Sequence, residues 1–245
     1  MSEAKRLATA AKERNLRLRL MGATAFQFHC PKYNFLSARF GRVLSDIDFA
    51  AYSAERGSIA EMMRGFGYGD NPMVSGLFGG GRMIWDNKSN GLHVDVFFDK
   101  LEMNHDISFQ GRLELEETTI TLADMLLEKM QIVNINEKDI VDTIILLREH
   151  QIGEGGSETI DGRYLTKLLS RDWGFYYTVT TNLKKLQDRL PGQSELAEED
   201  RADVDGKIQR LTAMLQNEPK SFSWKSRSRI GIKKKWYRDV DDVVR

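Results

Sequence analysis

A chain of 245 residues with 41% hydrophobic content holds enough apolar material for one large domain or two modest ones. Its 36 basic and 36 acidic side chains cancel, which excludes overall charge as a driver of nucleic-acid binding and leaves only local patches for that role. The single cysteine, Cys30, excludes an intramolecular disulfide and suits a reducing compartment, and no window approaches the ~18 apolar residues of a spanning helix, so a cytoplasmic protein without a membrane segment is expected.

Residues 2–15 read as an amphipathic helix, with Leu7, Ala10 and Ala11 on the dry side and no apolar segment of the kind a signal peptide carries. Residues 16–21 alternate Leu and Arg, which predicts a short half-buried strand. Gly22, Ala23, Thr24 and Ala25 follow at once, before Phe26-Gln27-Phe28-His29. Small residues between a strand and an apolar run predict a tight strand-to-helix turn whose amide N–H groups suit an anion such as a phosphate. The same residues also fit an ordinary turn with Thr24 as helix N-cap. Residues 31–42 predict a loop or short helix carrying positive charge, including Lys32, Arg39 and Arg42.

Ser45-Asp46-Ile47-Asp48-Phe49 predicts a strand ending near Tyr52. Alternation then places Asp46 and Asp48 on one face and Ile47 on the other. Two neighbouring carboxylates repel unless a cation lies between them, and hard oxygen donors suit Mg2+. The alternative is an exposed strand whose polar face carries two acids. A helix over residues 56–63 follows, then a glycine-rich, aromatic stretch. Residues 76–85 look like a phosphate loop but lack its Lys-Ser/Thr ending and run into Met83-Ile84-Trp85, so a hairpin or bulge is expected, with a second turn at residues 87–91.

Residues 92–98 predict the best strand in the chain. Asp95 sits among apolar neighbours, where a carboxylate is costly unless paired or metal-bound. It supplies the third acid that an Asp46/Asp48 metal site needs, and His93 shares its face as a hydrogen-bond partner or a structural residue. Beyond it we expect a loop at 101–107, a last short strand at 111–119, and a helix over 121–132 with Lys129 among Leu122, Met125, Leu126 and Met130. A second helix over 136–150 makes Asp139 and Asp142 neighbours. Residues 153–157 (Gly-Glu-Gly-Gly-Ser) read as a linker. Helices follow at 161–170, 173–190 and 196–215. Residues 218–238 interleave Lys220, Lys225, Arg227, Arg229, Lys233, Lys234, Lys235 and Arg238 with Phe222, Trp224, Trp236 and Tyr237. That composition fits nucleic-acid contact or a solvated basic face anchored by aromatics.

The order of strand, Met21-Gly22-Ala23-Thr24 turn, helix, Leu44-Ser45-Asp46-Ile47-Asp48-Phe49 and Val94-Asp95-Val96 resembles the nucleotidyltransferase superfamily that includes DNA polymerase β. More narrowly, Gly22-x-Thr24-Ala25 followed by Arg42-x-x-Ser45-Asp46-Ile47-Asp48, with Lys129 and Lys138-Asp139-Ile140-Val141-Asp142, is similar to AbiE-type and MenT-type toxin nucleotidyltransferases. The resemblance spans residues 16–150. It implies an α+β fold, with a mixed-sheet catalytic core over 1–117 and helices packed on it over 118–152; the helical periods beyond it add a C-terminal helical region over 157–245.

By the same resemblance, the activity is Mg2+-dependent transfer of a nucleoside monophosphate from an NTP to a hydroxyl or phosphate acceptor. Asp46, Asp48 and Asp95 would bind two Mg2+ ions, with Asp95 also serving as base. Gly22, Ala23, Thr24, Arg42, Ser45, Lys129, Asp139 and Asp142 would contact the nucleotide, Lys129 by neutralising phosphate charge. The implied acceptor is RNA such as tRNA, or a protein, in a toxin–antitoxin or phage-defence setting with an antitoxin protein as partner; the composition of the basic tail at 220–238, outside the resemblance, favours RNA. The alternatives are an enzyme that nucleotidylates a small molecule such as an antibiotic, and an inactive nucleotidyltransferase fold used as a binding module. Two departures stand out. Ala23 replaces the usual second small Gly or Ser, and the spacer from Gly22 to Asp46 is long, an insertion that costs little free energy on a surface.

Overall fold

The computed structural model describes residues 2–39, 46–70, 80–156 and 158–240. The chain is α+β with a mixed sheet, and it forms two compact units. One comprises Met1–Pro31, Gly41–Glu102 and Asp106–Thr121; the other comprises Lys32–Phe40, Met103–His105 and Leu122–Arg245. Arg42 and Ser45 of the expected site lie outside the described residues, as does most of the glycine-rich stretch before Arg82.

The first unit is built on strands β1 (Arg19–Met21), β2 (Asp46–Ala51), β3 (Gly69–Asp70), β4 (Arg82–Asn87) and β5 (Leu92–Phe98), in the order β1-β2-β5-β4-β3. The pair β2 and β5 is parallel, and the other pairs are antiparallel. Alternation sorts the side chains. Leu20, Ile47, Phe49, Met83, Trp85, Val94, Val96 and Phe98 share one set of faces and are all buried. Each such side chain contributes about 1.5–3 kcal/mol when removed from water. Helices α1 (Ser2–Glu13), α2 (Gly22–His29) and α4 (Arg56–Gly65) belong to this unit, and α3 (Asn34–Arg39) belongs to the other. The 3.6-residue period of Ala4, Leu7, Ala8 and Ala11 buries one side of α1. In α4 the buried residues are Ile59, Ala60, Met62 and Met63.

Three sequence expectations fail here, each for a local reason. The loop expected at 101–107 is an antiparallel hairpin of β6 (Lys100–Glu102) and β7 (Asp106–Ser108). Strands of three residues are too short to register as alternation. The strand expected at 111–119 is a run of turns, with only Thr119 bridging Leu20. The Tyr52 hydroxyl holds that run by accepting the Gly111 N–H (3.1 Å) and lying 2.7 Å from Glu114 Oε2. The linker expected at 153–157 instead joins strands β8 (Gln151–Gly153) and β9 (Thr159–Asp161), which pair in parallel and bury Ile152 and Ile160.

The second unit holds α5 (Leu122–Met130), α6 (Glu137–Glu149), α7 (Gly162–Leu169), α8 (Trp173–Arg189), α9 (Glu198–Asn217) and α10 (Phe222–Ile230). The helices at 122–149, expected as a layer on the core, group with the C-terminal helices. Asn136, Asp161, Asp172 and Ser221 cap α6, α7, α8 and α10 through their side-chain oxygens. Each cap contributes about 1 kcal/mol.

The long spacer after Gly22 has a structural account in this unit. The backbone N–H groups of Lys32 and Tyr33 donate to the Glu149 carboxylate at 3.1 Å each. The Tyr33 hydroxyl donates to Asp200 (3.1 Å), and the Arg148 guanidinium stacks 4.8 Å from the Tyr33 ring while pairing with Asp200 at 2.5 Å. Lys32 and Tyr33 of the spacer are therefore bonded to α6 and α9. Among the described residues, no helix is long and apolar enough to cross a membrane.

Candidate active site

The parallel register of β2 and β5 decides the geometry. Asp46 lies opposite His93 and Asp48 lies opposite Asp95. Paired positions on neighbouring strands sit about 4.8 Å apart and project to the same side. One sheet face therefore carries Asp46 and Asp48 along β2, His93 and Asp95 beside them on β5, and Asp86, Ile84 and Arg82 on β4, which are opposite His93, Asp95 and Phe97. Asp46 and Asp48 are partly exposed, whereas Asp95 is buried.

Gly22 closes this face from the β1 side. Met21 pairs with Asp48, so the head of α2 meets the Asp48 side chain directly. Gly22 has φ +63°, and a Cβ there would lie 2.3 Å from Asp48 Oδ2 and 3.1 Å from its Cγ. Only glycine satisfies both the backbone and the approach. Met21 occupies the cap position of α2 and no side chain caps the helix. Thr24, expected as a phosphate ligand or as the N-cap, is not the cap and is buried in the first turn, and Ala23 is partly exposed beside it. Gly22→Ala is expected to displace the Asp48 carboxylate and to cost about 1–2 kcal/mol for the left-handed backbone, which thermal unfolding checks.

Arg82 is the residue that sequence reasoning missed. Its Nη2 lies 2.5 Å from Asp95 Oδ2, and its guanidinium also stacks 4.9 Å from the Phe97 ring. The signal was present in the hairpin. Counting back from the turn at residues 87–91 sets Arg82 opposite Phe97 and diagonal to Asp95. A second pair on the same face joins His93 Nδ1 to Asp86 Oδ1 at 2.5 Å. Farther along, Arg19 lies opposite Ala50 and donates to the Leu113 carbonyl at 2.8 Å. Burial pushes its pKa below the usual arginine value, an effect the Glu55 and Glu114 carboxylates oppose.

The donor chemistry on this face fits Mg2+, since carboxylate oxygens on adjacent strands are the hard ligands that ion takes. They are not drawn together in advance. Among the described residues, no group of three or more His, Cys, Asp or Glu side chains is gathered closely enough to hold a metal, and Asp95 is paired with Arg82.

The remaining expected residues form a separate cluster within the helical unit. Lys129 Nζ lies 3.2 Å from Asp139 Oδ1, 3.5 Å from Asp142 Oδ2 and 3.5 Å from Glu128 Oε1. All four side chains are buried. Their meeting follows from the helices. Lys129 and Glu128 come from the last turn of α5, and Asp139 and Asp142 stand three apart on α6. No protein-family model matches the chain, and no curated protein matches it.

Proposed function

We propose that this protein is a Mg2+-dependent nucleotidyltransferase, moving a nucleoside monophosphate from an NTP to a hydroxyl or phosphate acceptor, with the bond between the α- and β-phosphates broken and pyrophosphate released. The observation that carries the reading is the register of Asp48 against Asp95 with Asp46 on the same face, closed at a position where only glycine fits against the Asp48 carboxylate. Asp46, Asp48 and Asp95 are the residues that would hold the metal. When bound, Mg2+ supplies charge neutralisation for the attacking and leaving oxygens of an in-line displacement.

The rest falls to the protein. The amide groups at the head of α2 orient the triphosphate beside Asp48. The Asp95 carboxylate is placed to accept the proton of the acceptor hydroxyl. Lys129, Asp139 and Asp142 serve the nucleotide in this reading, on the strength of the family resemblance alone. The partners that fit are an NTP, an RNA or protein acceptor, and an antitoxin protein of a toxin–antitoxin or phage-defence pair.

The Arg82–Asp95 pair favours a second reading, in which Asp95 is neutralised by arginine and the fold serves as a silent binding module. Incubation with each labelled NTP, Mg2+ and total RNA or cell extract separates the two. Transfer of label by the intact protein supports the enzyme. Transfer to nothing, or equal transfer by Asp48→Ala, supports the module.

Arg82→Gln offers a finer check. Removing a cation that competes for Asp95 should lower the Mg2+ concentration for half-maximal transfer on the order of tenfold, equivalent to about 1.4 kcal/mol. Because Gln still donates a hydrogen bond, the stability loss should stay near ~2 kcal/mol. A Mg2+ titration with an unchanged midpoint would show that Arg82 and the metal do not compete.

A further inference from the structure

The basic segment at 219–238 is anchored on one side and leaves the other exposed. Between Pro219 and Arg238 there are eight Lys or Arg residues and no Asp or Glu. Trp224 packs edge-on against Tyr176 at 5.2 Å, and Arg227 stacks 4.7 Å from the Trp173 ring. Trp236 packs against Tyr177 at 5.0 Å and donates its indole N–H to the Thr178 hydroxyl at 3.0 Å. The tryptophans are thus anchors onto α8 rather than open stacking platforms.

Trp224 and Arg227, three apart, define the inner side of α10. The opposite side carries Phe222, Lys225, Arg229 and Ile230, all exposed, and the turn beyond it exposes Lys233 and Lys234. Lys225, Arg229, Lys233 and Lys234 make no ion pair among the described residues. Phe222 is 86% exposed although it is large and apolar.

We infer that the outer face of α10 and the following turn form a binding surface for single-stranded RNA, with Lys225, Arg229, Lys233 and Lys234 on successive phosphates and Phe222 under a base. Charge complementarity points to a polyanion. The mixing of apolar and cationic residues on one stripe points to RNA rather than a bilayer, since a helix lying in a membrane interface segregates them onto opposite faces. A ring beside a row of cations is the arrangement that stacks a base while tracking its backbone. The surface belongs to the helical unit and the carboxylates to the sheet unit, and RNA held here need not be the acceptor.

Fluorescence anisotropy of the full-length protein with a labelled RNA of about 20 nucleotides tests it. The affinity should fall roughly 50-fold between about 50 and 200 mM salt if four phosphates are neutralised. Reversing Lys225, Arg229, Lys233 and Lys234 to Glu should abolish binding, and Phe222→Ala should weaken it roughly tenfold. All five are exposed, so thermal unfolding should be unchanged. Lys88→Glu, an exposed reversal in the sheet unit, should bind as the intact protein does. Asp48→Asn should also keep its RNA affinity, so that failure of this surface and failure of the nucleotidyltransferase reading are told apart. Equal binding by the fourfold variant overturns the inference. So does binding to phosphatidylserine vesicles without binding to RNA.

Discussion

Asp48→Asn is expected to reduce nucleotide transfer by about 1,000-fold while leaving the protein folded. The figure is the upper end of the roughly 100- to 1,000-fold that removing one preorganised group at a charge-bearing centre costs. Asp48 is the hub of the face: it lies opposite Asp95 on one side and Met21 on the other, and Gly22 is fitted against its carboxylate. Asn keeps the shape and removes the charge, so the packing against Gly22 persists. Loss of activity together with loss of stability would assign Asp48 a structural role instead. Single-turnover kinetics, with circular dichroism of the same preparation, distinguishes the outcomes.

Lys129→Met is expected to have the largest effect on stability. It leaves Glu128, Asp139 and Asp142 buried around a position that no longer carries a cation. Breaking a buried ion pair by removing one partner costs about 3–5 kcal/mol. That is a large fraction of the roughly 5–15 kcal/mol by which folded domains are stable. The resemblance to toxin nucleotidyltransferases assigns Lys129 a second task, neutralising phosphate charge. Combining Lys129→Met with Asp139→Asn and Asp142→Asn separates the tasks, because it removes the lysine and most of the stranded charge together. If stability returns and transfer does not, the cluster acts in catalysis. If both return, Lys129 is a structural counter-ion. Urea unfolding monitored by tryptophan fluorescence reads the first quantity, and label transfer reads the second.

Part of the site is legible in the order of residues alone. Period-two alternation around Ile47 and around Asp95 is a local property of the backbone, so the strands and the facing of their carboxylates can be read directly. The glycine turn ahead of α2 is legible for the same reason, as a step from one period to another. Arg82 escapes notice because it lies next to a glycine-rich stretch that invites a phosphate-loop comparison, while its partner is 13 residues away across a hairpin. The β6–β7 hairpin and the β8–β9 ribbon escape because three residues cannot display a period.

By itself, then, the sequence determined which residues could carry the chemistry: two acids on one strand face, a third on another strand, and a glycine that must precede a helix. These follow from backbone geometry and side-chain type, which are encoded within a few residues of each other. Only the tertiary structure decided that β2 and β5 are parallel neighbours in a register that sets Asp48 against Asp95, that Gly22 abuts that carboxylate, and that Arg82 shares the face and pairs with Asp95. It likewise decided that Trp224, Trp236 and Arg227 of the basic segment face inward while Lys225, Arg229, Lys233 and Lys234 are exposed. Register and facing arise from long-range pairing, where the burial of Ile47, Phe49, Val94 and Val96 selects one alignment and a slip of one residue would turn every carboxylate into the core.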